Sequence, residues 1–197
     1  MRRYSRYVIV LLTLCSACSG ETKGAQASQT EPATRSVAAA PATAALGACA
    51  LLLKADVDAA FAPRVFTLEP QNRPDIAGTA SMAAVSRCTY ASRGASVREM
   101  MTVGLVARQA QNDASGVTVA TAKAGAAKLN ATPVDVTGLG DAAYWINMGS
   151  ARRPVIELNV FKGARTWLIF SASAPTLDTD TALAALRKVA EAALSRR

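Results

Sequence analysis

Between Gly20 and Leu46 the chain is built of Ala, Thr, Ser, Gln and Pro with almost no large apolar side chain. A segment of that composition cannot bury enough surface to offset the conformational entropy lost on folding. Whatever core the protein has must therefore come from residues 47–197, about 150 residues and the size of one ordinary domain. The intervening stretch reads as a flexible tether, and its charges, Glu21, Lys23, Glu31 and Arg35, cancel.

The tether is preceded by three arginines (Arg2, Arg3, Arg6), the apolar run Val8–Leu14, and then Ser16 and Ala17. That order of charged, apolar and small residues is a secretory signal. The run is much shorter than the roughly 20 apolar residues a spanning helix needs. Residues 1–17 are thus expected to be a signal peptide. The segment Leu14-Cys15-Ser16-Ala17-Cys18 resembles a bacterial lipobox, with Cys15 standing where Leu or Val is usual. That resemblance implies cleavage after Ala17 and a diacylglyceryl thioether on Cys18, with 18–46 as lipidated tether. Two or more acyl chains anchor firmly, because each buried methylene contributes about 0.8 kcal/mol. The expected location is the periplasmic face of the outer membrane in a double-membraned source, as Ser19 rather than Asp implies, or otherwise the outer face of the plasma membrane.

Two cysteines remain, Cys49 and Cys88. In an exported protein such a pair reads as a disulfide. A redox or metal site lacks both the C-x-x-C spacing and any histidine, of which the chain has none.

Hydrophobic periodicity then lays out residues 47–197. Leu51–Phe61 reads as a short helix ended by Pro63, Val65–Leu68 as a strand and 71–80 as a loop. Val85–Ala91 and Met100–Arg108 read as strands, and Val117–Leu129 as an alanine-faced helix. Ala142–Asn147, Val155–Phe161 and Arg165–Ala172 follow as strands, the last two joined by a Lys162-Gly163 hairpin turn. Thr179–Leu194 is a helix capped by Asp178, with Leu183, Leu186, Val189, Ala190, Ala193 and Leu194 on one side. The fold class expected is α+β: a curved antiparallel sheet of about six strands with helices on one face. The order, helix and three strands given twice, suggests a two-fold pseudo-repeat plus a C-terminal helix.

The motifs Cys49-Ala50-Leu51-Leu52, Ala55-Asp56-Val57, Cys88-Thr89-Tyr90, Gly138-Leu139-Gly140-Asp141-Ala142-Ala143-Tyr144 and Lys162-Gly163 occur in that order. Together they resemble a group of bacterial envelope lipoproteins common in actinobacteria, with Lys54 standing where the group often has Thr. The resemblance implies a Cys49–Cys88 bridge and a sheet-plus-helix fold akin to extracytoplasmic sensor domains. It implies no activity.

Chemistry is constrained by what is missing. Without histidine there is no Ser-His-Asp or Cys-His triad, no zinc-hydrolase motif and no histidine base, and no phosphate loop is present. The close carboxylate pairs, Asp56 with Asp58 and Asp178 with Asp180, sit at helix starts, where capping accounts for them. Gly138–Asp141 reads as a tight turn in which Asp141 bonds its own backbone. No catalytic residue, metal ligand or cofactor is therefore expected. Residues 47–197 hold 17 Lys and Arg against 12 Asp and Glu, a net +5 with no basic stripe, which disfavours nucleic acid. Trp145 and Trp167 are candidates to line a ligand groove, and the exposed pair Arg152 and Arg153 is a candidate partner contact.

Three functions follow. The first is a non-enzymatic, lipid-anchored module that binds an envelope protein or component. The second is a carrier or sensor of a small molecule, lipid or glycan, whose cavity would be lined by Trp145, Trp167 and Met101. The third, weakest on these residues, is a cell-wall hydrolase built on paired carboxylates.

Overall fold

A computed structural model describes residues 46–70, 73–94, 99–175 and 177–197. The expected signal peptide, the expected lipid site Cys18 and the expected tether up to residue 45 lie outside the described residues.

Among the described residues the domain has four α-helices, one 3-10 turn at Asp113–Ser115 and seven strands. The helices and strands run α1 (Ala48–Leu51), α2 (Lys54–Ala60), β1 (Thr67–Leu68), β2 (Ala84–Ser92), β3 (Met101–Gln109), α3 (Val119–Lys128), β4 (Val134–Val136), β5 (Ala142–Asn147), β6 (Val155–Lys162), β7 (Thr166–Ser173) and α4 (Thr179–Leu194). The strands form one open sheet in the order β1-β2-β3-β7-β6-β5-β4, every pairing antiparallel. Two meanders thus meet at the β3–β7 pairing, which agrees with the α+β expectation. The second meander has four strands, not three, because Val134–Val136 adds an edge strand beside β5.

The pleat sorts every strand residue onto one of two faces. One face carries the row Cys88, Leu105, Phe170, Leu158 and Trp145, each aligned with the next across neighbouring strands. Against it pack α1, α2 and α4, whose Ala48, Val57, Ala182, Leu186 and Ala190 are all wholly buried. On α4 the inward positions 182, 185, 186, 189, 190 and 193 follow helical spacing, and the Asp178 carboxylate accepts from Thr181 N at 2.8 Å to start the helix. Burial at about 25 cal/mol per Å² of apolar surface makes this layer the main source of stability.

The short helix α1 is fastened three times. Cys49 is disulfide-bonded to Cys88, Ala48 N donates to Ser86 Oγ at 3.0 Å, and Arg196 Nη1 donates to Leu51 O at 2.8 Å. Arg196 also pairs with Asp56 on α2, so the residue two places after α4 clasps both α1 and α2. The single helix expected over Leu51–Phe61 is instead two, because Leu52 turns fully into the core and Leu53 is extended, with φ −82° and ψ 142°.

Helix α3 departs from the one-faced expectation. Its Ala122 and Ala126 pack on Tyr144, Ile146 and Phe161, which belong to the sheet face opposite α4. Small side chains let the helix lie close over those large rings. No helix among the described residues is long and apolar enough to cross a membrane.

Candidate functional site

The structure separates the two tryptophans. Trp145 lies opposite Leu158 on the face of α4, whereas Trp167 lies opposite Arg108 and Phe161 on the other face. Met101 is buried on the α4 side. Among the described residues these three are not brought together, and the layer between the sheet and α1, α2 and α4 holds the main apolar core.

Trp167 is occupied structurally. Its Nε1 donates to Asn159 Oδ1 at 3.0 Å, and its ring stacks on Phe161 with centroids 5.6 Å apart and planes 11° from parallel. Phe161 stacks in turn on Tyr144 at 6.1 Å, beneath α3. Arg108 caps this ladder at the Trp167 end, its Cζ 4.8 Å from the ring centre, and Lys123 of α3 lies 5.8 Å from the Tyr144 ring at the other. Burial, with the Glu157 charge nearby, pushes the Tyr144 phenol up to about 12.

Trp145 differs: its ring packs against the core, but among the described residues its side chain makes no hydrogen bond and no aromatic ring contact. It borders a groove of about 420 Å³ between α4 and the β4 edge, together with Asp135, Thr137, Asp180, Leu183 and Arg187. Arg187 is held there by donating to Thr137 O at 2.8 Å and to Glu191 at 3.2 Å, while Asp135 pairs with Lys123. Arg152 and Arg153 sit in the β5–β6 connection, Arg152 exposed and Arg153 half-buried, with Arg153 N donating to Ser150 O at 3.1 Å.

The groups that sequence reading passed over lie on the sheet face opposite α4, here called the open face. Beyond the ladder under α3 it presents Arg87, Thr89, Thr102, Val106, Ile169, Ser171 and Glu157, all at least partly exposed. Arg87 pairs with Val106 and Val85 with Arg108, so the two arginines are diagonal neighbours, a relation that separates side-chain bases by about 7–8 Å. Burial lowers the proton affinity of Arg108, and the charge on Arg87 lowers it further. Arg108 Nε is buried without a hydrogen-bond partner, as is Asn159 Nδ2. Glu157 stands on the same face, opposite Ser171 and Ile146, and burial raises its carboxyl above the ordinary range.

At the β1 end this face sinks into a pocket of about 370 Å³. Arg87, Thr89 and Thr102 form polar parts of its lining; Arg73, Pro70 and Met100 complete the wall with Glu69, whose carboxylate lies 3.8 Å from Arg93. Alternation alone places Arg87 on the face opposite Cys88. The β2–β3 register, which sets it beside Arg108, is not readable from one strand.

Nothing in these surfaces assembles a nucleophile with a base, and the described residues hold no cluster of three or more metal-binding side chains. Asp58 is occupied by Lys54 and by Phe66 N, which donates to it at 2.9 Å. The Gly138–Asp141 segment is a turn: Gly138 and Gly140 have φ of 77° and 57°, and a Cβ on Gly140 would stand 2.4 Å from Phe161 O. Asp141 does not bond its own backbone as expected. Its carboxylate accepts from Gly163 N at 2.6 Å, so it fastens the β6–β7 hairpin, and that bond, aided by Lys162, holds its pKa below the ordinary range.

No family model matches the chain, and no curated protein or solved structure is significantly similar to it.

Proposed function

We propose that the chain is a lipid-anchored protein of the bacterial envelope, held through Cys18, and that its domain is a non-enzymatic module binding another envelope component through the open face. One observation carries the reading: Arg87 and Arg108 stand side by side, half-buried, on a sheet face that α3 covers only at one end. Two like charges in partly desolvated surroundings oppose one another, and an anionic partner laid across them relieves that opposition. The filled layer between the sheet and α1, α2 and α4 favours this surface over an internal carrier cavity. The family resemblance points to the same compartment and to no activity.

Cell fractionation tests the anchor. Cys18→Ala is expected to release the protein from membranes, and unchanged membrane retention overturns it. Affinity capture of the lipidated chain from crosslinked cells tests the module. The component recovered with the native chain is expected to be lost in the Arg87→Gln/Arg108→Gln double variant, and equal recovery overturns the assignment of this face.

A second reading rests on Trp145. A half-buried indole packed on the core at one side and bordering a groove with Asp135, Asp180 and Arg187 at the other has the chemistry of a sugar platform, a ring face for stacking and charged groups for hydroxyls. It makes the protein a receptor or sensor of an envelope glycan. Quenching of tryptophan fluorescence by soluble peptidoglycan fragments, absent in Trp145→Ala, is its signature; no quenching removes it. Release of reducing ends in the same mixture, abolished by Asp180→Asn, replaces binding with hydrolysis.

A further inference from the structure

We propose that the pocket at the β1 end of the open face binds a phosphate ester, with Arg73 and Arg87 on the phosphate and Met100 and Pro70 against the organic part. This inference rests on the open-face reading and names the ligand class of that surface. The pocket's floor is the sheet itself. Thr89 of β2 and Thr102 of β3 stand on it as diagonal neighbours, since Thr89 pairs with Gly104 and Ala91 with Thr102. Arg87 lies two residues from Thr89 on the same strand and face, while Arg73 comes from the segment that follows β1.

Two guanidinium groups from separate segments and two hydroxyls thus border one space of about 370 Å³. Each guanidinium has five N–H donors and no acceptor. One such fork suffices for a carboxylate, whereas a tetrahedral phosphate offers oxygens in several directions to donors supplied from two separate segments. Glu69, the acid of the wall, lies 3.8 Å from Arg93, so the lining holds two arginines against one carboxylate that has a cation of its own. The volume exceeds what bare phosphate fills, and Met100 and Pro70 give the remainder an apolar lining suited to an ester's carbon atoms. A lipid head group and a soluble phosphate ester share this chemistry.

Titration calorimetry on the full chain in a nonionic detergent distinguishes them. Inorganic phosphate, glycerol 3-phosphate, hexyl phosphate and hexanoate serve as probes. Saturable binding of the esters is expected, with a Kd below about 1 mM. Tighter binding of hexyl phosphate marks a lipid source, and tighter binding of glycerol 3-phosphate a soluble one. Arg87→Gln and the exposed Arg73→Gln are each expected to weaken the better ester about tenfold, the loss of one charge-assisted contact. Because Arg73 is on the surface, its variant reports on the site even if Arg87→Gln folds poorly. Three results overturn the proposal: no saturation by either ester, unchanged affinity in Arg73→Gln, or hexanoate or inorganic phosphate binding as tightly as both esters. If the esters fail while the double arginine variant still loses its envelope partner, the open-face reading stands and only the ligand class falls.

Discussion

Replacing Cys49 and Cys88 together by alanine opens a loop whose ends are 39 residues apart in sequence. The bond restrains the unfolded chain, and closing a loop of that length removes about 13 cal/mol/K of unfolded-state entropy, or about 4 kcal/mol at 25 °C. Alanine keeps both Cβ atoms, and the two sulfurs that leave, one of them only partly buried, add a packing loss on top of this figure. For a domain of this size each kcal/mol lowers Tm by about 2–4 °C, so a fall of about 8–16 °C is expected. Urea unfolding followed by circular dichroism measures the free energy, and the native chain in excess reductant should reproduce the double variant. The loss has a local signature too. Helix α1 spans four residues and relies on Cys88, Ser86 and Arg196 for its place, so its amides should exchange fastest in the variant. A loss below about 1 kcal/mol refutes the loop-entropy reasoning, and unchanged exchange in α1 refutes the account of how that helix is held.

Three further outcomes follow from the two faces. Leu168→Ala, a fully buried residue in the middle of β7, should cost about 2–5 kcal/mol by urea unfolding; under about 1 kcal/mol denies the filled core. Trp167→Phe keeps the ring stack but leaves Asn159, already short of a partner at Nδ2, without its donor; a loss of about 1–3 kcal/mol is expected, and a neutral change refutes the structural role given to Trp167. Glu157 is held by burial above the ordinary glutamate value of 4.5, so the native state keeps its proton more tightly than the unfolded chain and stability falls as pH rises through that interval. Glu157→Gln should therefore be more stable than the native chain at pH 7, the gap closing below pH 4.5; a gap that widens on acidification contradicts the sign.

How far the sequence led depended on the signal each element carries. Helix α4 is legible to the residue, because Asp178 caps it and its apolar positions repeat at helical spacing. The β6–β7 hairpin is legible from strict alternation around Lys162-Gly163. The strand β4 is not: three residues, Val134–Val136, are too few to show a period, and only pairing with β5 makes them a strand. Nor is the side on which α3 packs, since its buried contacts are alanines, which mark no face until Tyr144 and Phe161 are seen beneath them. For the site, aromatic residues drew attention first, yet Trp167 is consumed by packing. Arg87 and Arg108 gain meaning only from the β2–β3 register, which brings residues 21 apart in sequence into diagonal contact on one face.

The central claim, that the open face is the binding face of an anchored module, is tested most directly by photocrosslinking in cells. A photoreactive residue placed at Thr89, exposed on the open face, is compared with one at Lys188, exposed on the outer side of α4. The account predicts a discrete adduct with one envelope component from position 89, none from 188, and loss of that adduct in Cys18→Ala. Equal adducts from both positions, or an adduct from 188 alone, contradict it.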